Sequence, residues 1–275
     1  SMSQAHQLAL SVVYESGVQH FADSVDVYEN WIGTEFLKEV KSTWDETKVL
    51  DGFPGNYAVI ARRSGSDWFV GGITNNSRTQ SLSLSFLGSG TYTAYIYKDG
   101  SSKDYITKQI QSVTSSSTLS IPMLSEGGFA ILISKTVTPS MPVDNTYTYY
   151  EAESNSNTLS GSAAIYSCQN CSSGYKVGYL GNNSGTLRFN NVYASQAGYY
   201  YLKIFYLTAD NRNLHISING GTSKEYVIPV TSGSFNNVRS IRFKVALQQG
   251  YNTILFSHDD WAPDIDRIGV KYVGN

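Results

Sequence analysis

The sequence predicts a mainly all-β protein: two antiparallel β-sandwiches preceded by a short α/β segment. Three observations carry that reading. From Tyr57 onward apolar and polar residues alternate at a period of two, in short runs bounded by turn-forming residues. Helical spacing is confined to the first fifty residues. A stretch with Pro139 and Pro142 among Thr, Ser and Asn divides the β pattern in two.

In chain order, residues 6–15 place Leu8, Val12 and Val13 on one flank of a helix. Residues 27–40 repeat Ile32, Phe36, Leu37 and Val40 near helical spacing, and 18–23 between them is short and apolar enough for a strand. Residues 1–50 therefore read as the tail of an α/β domain. Trp31, Ile32 and Phe36 are expected either to pack on the next domain or to drive self-association. Strands follow at 57–63 and 67–74, joined by the turn Ser64-Gly65-Ser66, then at 81–86 and 91–97, ending in Lys98-Asp99-Gly100. Further strands at 106–110, 118–121 and 128–133 complete a sandwich over 51–135. Residues 136–148 form a linker. Beyond it strands at 186–189, 198–207, 213–218, 224–229, 240–245 and 250–256 make a second sandwich over 149–275.

A chain of 275 residues has room for two such domains. With 41% hydrophobic and 15% charged residues it has the means to build cores, and its formal charge of -2 gives no reason to expect nucleic acid or an anionic membrane as partner. No apolar run reaches the length of a membrane span. The start Ser1-Met2-Ser3 has no signal-peptide shape, and Ser1-Met2 reads as a vector-derived addition that leaves room for a removed leader. The 21 tyrosines suit half-buried strands, and Tyr and Trp are also the residues on which the C–H face of a pyranose lies. Strand and core roles must account for most of them.

Cys168 and Cys171 are the two cysteines, in Cys-Gln-Asn-Cys. Zinc would need two more ligands at suitable spacing, and His6, His20, His215 and His258 are scattered. A thioredoxin-like role needs a βαβ context, absent here. A short disulfide in an exported, secreted or periplasmic protein is preferred over free thiols.

Three stretches of the second half carry candidate chemistry. Tyr149-Tyr150-Glu151-Ala152-Glu153 sets two carboxylates at strand spacing i, i+2, on one face. Gly174 to Asn183 is Gly-rich and bears tyrosines, and residues 258–268 hold Trp261 among Asp259, Asp260, Asp264 and Asp266. If the last strand brings Asp266 beside Glu151 and Glu153, three carboxylates with loop carbonyls make an oxygen site suited to calcium. A glycosidase acid/base pair is the second reading, though i, i+2 leaves little room for a sugar. Two solvated glutamates on an edge strand are the third.

The run YEAE…SGSAAIYSCQNCSSGYKVGYLGNNSGTLRF followed by WAPDIDRIGV resembles the family 35 carbohydrate-binding modules, over residues 149–273. The resemblance implies a jelly-roll-type sandwich with a structural calcium. Its ligands carry over onto Glu151 and Glu153 of YEAE and Asp266 of DIDRI, with loop carbonyls around 174–176 completing the shell. It also implies a sugar site in loops at one end of the sandwich: Trp261 with Asp260 and Asp264, and Tyr179, Asn182 and Asn183. Trp261 supplies a stacking plane there, and the polar groups read hydroxyls. Lys176 and Arg267 are expected to be solvated strand ends, and a neutral galactose- or glucose-like sugar is expected rather than a uronic acid.

HQLALSVVYESGVQHFADSVDVYENW and VKSTWDETKVLDGFPGNYAVIARRSGSDWFVGGITN resemble the C-terminal end of glycoside hydrolase family 97, over residues 6–135. This implies that residues 1–50 are the last elements of a (β/α)8 barrel and that the first sandwich is an accessory domain packed on it. The family's catalytic carboxylates belong to barrel strands upstream, so the chain is expected to be non-catalytic, with Asp23 an orphan of the barrel rim. The parent implied is a bacterial α-galactosidase or α-glucosidase, and the partners are a carbohydrate and that barrel. A structural or adhesion module without sugar binding is the remaining alternative.

Overall fold

The computed structural model describes residues 1–15, 31–230 and 234–274. The expected strand at 18–23, with Asp23, and the start of the second expected helix lie outside them. The described residues form two compact units, divided between Pro142 and Val143, with Trp31 counted in the second.

The first unit opens with helix α1 (Gln4–Val13). Ser3 caps it: its hydroxyl accepts the His6 amide at 3.0 Å and donates to the Asp99 carboxylate at 2.5 Å. The other oxygen of Asp99 accepts the amides of Leu124 and Gly128, so this buried carboxylate is fully engaged. A short helix, α2 (Gly33–Leu37), follows, and Lys38 and Val40 lie outside it.

Eight strands come next: β1 (Glu46–Phe53), β2 (Tyr57–Ser64), β3 (Asp67–Thr74), β4 (Arg78–Ser83), β5 (Tyr92–Asp99), β6 (Ile106–Val113), β7 (Thr118–Met123) and β8 (Gly128–Ser134). Six of them make an antiparallel sheet in the order β1-β2-β3-β8-β5-β6, and β4 pairs with β7 as a ribbon. Leu82 of the ribbon and Leu119, Ile121 and Met123 opposite it pack on Val70, Ile96, Phe129 and Ile131 of the sheet. Helix α1 lies against β3 and β8; a Cβ at Gly71 would meet the Ala9 carbonyl at 2.9 Å and Val12 Cβ at 3.0 Å. Strand β8 is buried along its whole length, which is why GFAILIS does not alternate.

One expectation for this unit needs correction. The sheet begins at Glu46, inside the stretch read as barrel remnant, and β1 was not recognised as a strand. Of the two outcomes expected for Phe36, packing on this sandwich is the one observed: it is fully buried and meets Phe69 and Tyr97 edge to face at 5.8 Å each. Glu35 beside it takes a hydrogen bond from Tyr97 at 2.9 Å and an ion pair from Lys108. Burial, reinforced by Glu35, pushes the Tyr97 phenol well above its usual range.

The second unit is a two-sheet sandwich. Its strands are β9 (Thr148–Glu151), β10 (Thr158–Ser160), β11 (Ala164–Ser167), β12 (Tyr175–Gly178), β13 (Thr186–Ala194), β14 (Gly198–Thr208), β15 (Arg212–Ile218), β16 (Lys224–Ile228), β17 (Ser234–Leu247), β18 (Gly250–Ser257) and β19 (Asp264–Gly274). One sheet runs β10-β13-β18-β15-β16; the other runs β11-β12-β19-β14-β17, with β9 also on β19. Alternation does the work in β14: Tyr200, Leu202, Ile204 and Tyr206 point into the core between the sheets. Phe205 and Leu207 point the other way and pack with Val238 and the bonded pair Cys168–Cys171.

Candidate functional site

The segment after β12 and the segment between β18 and β19 are laced together by backbone hydrogen bonds. Asn182 N donates to Asp260 O at 2.8 Å, Asn183 N to His258 O at 3.2 Å, and Ala262 N to Leu180 O at 2.9 Å. The turn needed for this lacing puts Tyr179, Gly181, Asn182 and Asn183 at positive φ. Asn and Gly tolerate that region best, and Gly181 must lack a side chain, because a Cβ would lie 2.0 Å from Asp260 O.

The lacing sets Tyr179 and Trp261 edge to face with centroids 5.8 Å apart, leaving them 53% and 38% exposed. Tyr166, also exposed, meets Tyr179 at 5.4 Å. Together with Arg212, Phe235 and Asp264, Tyr179 and Trp261 line a cleft of about 370 Å³, within the range of small-ligand sites.

The cleft's charges are internally matched. Asp264 pairs with Lys176 at 2.8 Å, and Lys176 also donates to Phe235 O at 2.9 Å. Burial raises the Asp264 carboxyl, with Lys176 and Arg212 acting against it. Arg212 pairs with Asp210 at 2.5 Å and donates to Ala262 O at 3.2 Å. Lys176 is thus no solvated strand end. Nor is Arg267, which lies over the rings of Tyr149 and Phe205.

Of the six residues expected at a sugar site, Tyr179, Trp261 and Asp264 line the cleft. Asn182 and Asn183 act on the loops instead, the Asn183 amide donating to Asp259 O at 3.0 Å. The Asp260 carbonyl receives Asn182, and its carboxylate is exposed. Arg212 and Phe235 were missed; they reach the cleft from β15 and β17, and no nearby motif marks them.

The three carboxylates converge on one loop at a separate place in the same unit. Glu151 ends β9 and Asp266 lies in β19 beside it, with Ala152 N donating to Asp266 O at 3.0 Å. Ser172 N donates to Asp266 Oδ1 at 3.0 Å. The Ser172 hydroxyl lies 2.6 Å from Glu151 Oε2 and 2.9 Å from Asp266 Oδ1, and its single proton serves only one of them. Glu153 pairs with the Ser173 hydroxyl, and its other oxygen is buried without a partner. Burial, with the Glu151 charge adding to it against the Ser172 bonds, raises the Asp266 carboxyl to about 7; burial also raises Glu151. The segment that reaches the carboxylates is Ser172–Ser173, just before the 174–176 carbonyls expected there, and Gly174 O is taken by Cys168 N at 2.7 Å. An oxygen-only donor set that includes an orphaned buried carboxylate oxygen fits a hard dication.

A third constellation corrects the view of the histidines as scattered. The rings of His215 and His258 lie 4.5 Å apart, tilted by 49°, and with Glu225 they bring one ligand atom each within 4.8 Å of one another. Among the described residues this is the one set of three His, Cys, Asp or Glu side chains whose ligand atoms come that close together, closer than those of Glu151, Glu153 and Asp266.

Residues 43–134 match the family described as "Glycosyl-hydrolase 97 C-terminal, oligomerisation". Over 132 residues the chain is 39% identical to a probable retaining α-galactosidase of Streptomyces bingchenggensis, covering 47% of this chain and 20% of that protein. Over 138 residues it is 37% identical to a retaining α-galactosidase of Bacteroides thetaiotaomicron, covering 48% of this chain and 21% of that one. The chain therefore spans about a fifth of the length of these curated relatives. Among solved structures, a family 35 carbohydrate-binding module from Clostridium thermocellum is 35% identical over 46% of this chain and 98% of its own, with a TM-score of 0.44. The first unit thus carries a glycosyl-hydrolase 97 C-terminal domain, and the second is a module similar in sequence to the family 35 carbohydrate-binding modules.

Proposed function

We propose that this chain is a non-catalytic, carbohydrate-binding part of an exported bacterial α-glycosidase, and that its second unit binds a neutral sugar in the cleft of Trp261 and Tyr179. The observation that carries the reading is the exposed pair of rings over a polar floor whose charges already cancel. An aromatic plane rewards the C–H face of a pyranose, and the Asp264 carboxylate accepts from a hydroxyl. With Lys176 held by Asp264 and Arg212 by Asp210, no unmatched cation favours a sugar acid.

In the same reading Glu151, Glu153 and Asp266 hold a structural calcium ion. The ion neutralises buried carboxylates that otherwise compete for one hydroxyl proton, and so fixes β9 and the 172–173 loop on β19. The first unit is the assembly half of the chain. The description of its family favours this, as does edge strand β1, which leaves Val49 and Phe53 exposed. The catalytic centre then belongs to the rest of the parent enzyme, and the module raises the local concentration of substrate around it.

The test is isothermal calorimetry of the chain in calcium against methyl galactosides and glucosides and short oligosaccharides. One sugar class should bind weakly, and Trp261→Ala should weaken it at least tenfold while leaving the thermal midpoint nearly unchanged. Binding that survives Trp261→Ala and Tyr179→Ala together places the sugar elsewhere, and no binding by any neutral sugar favours the structural-module reading.

A further inference from the structure

We propose that His215, Glu225 and His258 form a binding site for a transition-metal dication of the zinc class, separate from the carboxylate site and from the sugar cleft. Two ligands come from adjacent strands of one sheet and the third from the residue just past the end of β18. In its pairing register His215 of β15 stands opposite Glu225 of β16 on one side and opposite Ser257 of β18 on the other, so His258 follows at the next position. The three ligand atoms already lie within 4.8 Å of one another, a spacing a bound ion closes with side-chain motion alone. Two imidazoles and a carboxylate suit zinc and its neighbours, whereas calcium prefers oxygen alone. The three supply one face of a tetrahedral shell and leave a position for water.

The surroundings are those of a metal histidine. His258 Nε2 faces Glu225 Oε1 at 3.3 Å, and the Asn213 amide donates to that same oxygen at 3.0 Å, fixing the carboxylate. His258 Nδ1 accepts the Asp260 amide at 3.0 Å and also lies 3.3 Å from the Asp260 carbonyl. A metal on Nε2 requires the proton on Nδ1, so on binding this nitrogen gives up the Asp260 amide and donates to the Asp260 carbonyl instead, a backbone partner of the kind metal-bound imidazoles use. Both histidines are half-buried and Glu225 is exposed, so the site is pre-set by the sheet and still open to solvent.

The experiment is calorimetric titration of the full chain with zinc chloride in calcium-containing buffer, repeated with His215→Gln, Glu225→Gln and His258→Gln. The expected result is one zinc per chain, a zinc-dependent rise in thermal midpoint, and at least a tenfold loss of affinity in each variant. Metal-free melts of the variants should match the parent. His215→Gln leaves the contacts of His258 with Asp260 in place and decides the matter should His258→Gln fail to fold. Absence of zinc binding overturns the proposal, as does binding that persists in His215→Gln or that is lost instead in Glu151→Gln.

Discussion

Removing calcium should make the second unit's stability depend on pH in a direction opposite to ordinary acid denaturation. The perturbation is chelation, and Asp266 sets the magnitude. In the metal-free chain its carboxyl rises from an ordinary 3.8 to about 7 because it is buried, with the Glu151 charge adding to that. An acid that holds its proton more tightly when folded stabilises the folded state only while protonated. Between pH 3.8 and about 7 the unfolded chain has released this proton and the folded chain has not, so unfolding free energy falls with rising pH and levels off above 7. At about 1.4 kcal/mol per pH unit, this window amounts to about 4 kcal/mol. Glu151 and Asp264, also raised by burial, add in the same sense. Carboxylates held low by hydrogen bonds and cations, such as Asp51, Asp210 and Glu126, act in the opposite sense, but only at and below the lower edge of that window, near their ordinary values of 3.8 to 4.5. His6 does not finish there: burial lowers it, so its contribution is lost as pH falls below about 6.5. For that reason the quantity to read is the difference between the parent and Asp266→Asn, each unfolded by urea at pH 4.5, 6 and 7.5 with a chelator and again with calcium. The parent without metal should lose stability relative to Asp266→Asn as pH rises, and calcium should restore it in the parent alone. A flat difference across the three pH values, or an equal calcium response in both proteins, would refute the reasoning.

Other outcomes follow from single contacts. Gly181→Ala should lower stability by about 2 kcal/mol or more and abolish sugar binding, because the new Cβ meets the Asp260 carbonyl at a φ of +87° that disfavours side chains; urea unfolding and calorimetry check both. Glu35→Ala should cost the first unit about 3 kcal/mol or more by leaving Lys108 and the Tyr97 hydroxyl without their carboxylate, read as a lowered thermal midpoint that Glu35→Gln recovers only in part. Reduction of Cys168–Cys171 closes no long loop and should lower stability by no more than about 2 kcal/mol, measured by urea unfolding with and without a phosphine.

How far the fold was legible depended on where each strand sits. Strands that face a core on one side, such as β4 and β7, alternate in sequence as they do in burial, and β8 betrays its two covered faces by an unbroken apolar run. Edge strand β1 has the polar make-up of a loop, with Val49 and Phe53 turned outward, so it passed as part of the helical segment. Strands β10 to β12 have three or four residues each, too few to show a period. Strand β19 was read only as a last strand carrying Asp266, and its 11-residue extent went unseen for another reason. Asp264 and Asp266 occupy its first positions, and a charge inside a central strand looks like a loop until the partners that hold it, Lys176 and Ser172, are in place.

The sites divide along the same line, between what one segment states and what only pairing assembles. Trp261, Asp264 and Asp266 lie in one short run, and Glu151 and Glu153 in another, so motifs exposed them. Arg212 and Phe235 enter the cleft from elsewhere in the chain, brought by strands whose register no local pattern specifies. The His215–Glu225–His258 group is the sharper case. Its members have ordinary strand neighbours, and their meeting depends on β15 lying between β16 and β18 in this register. Slipping the β15–β16 pairing by one residue would turn Glu225 to the face of the sheet away from His215, so a metal here reports on that register as much as on the three side chains. Zinc affinity should therefore fall with core substitutions that loosen β18, such as Phe256→Ala, whose ring is fully buried in the core and meets Phe189 at 5.5 Å. An unchanged zinc affinity in a folded but destabilised Phe256→Ala chain would show that the three side chains find the metal without a rigid sheet beneath them.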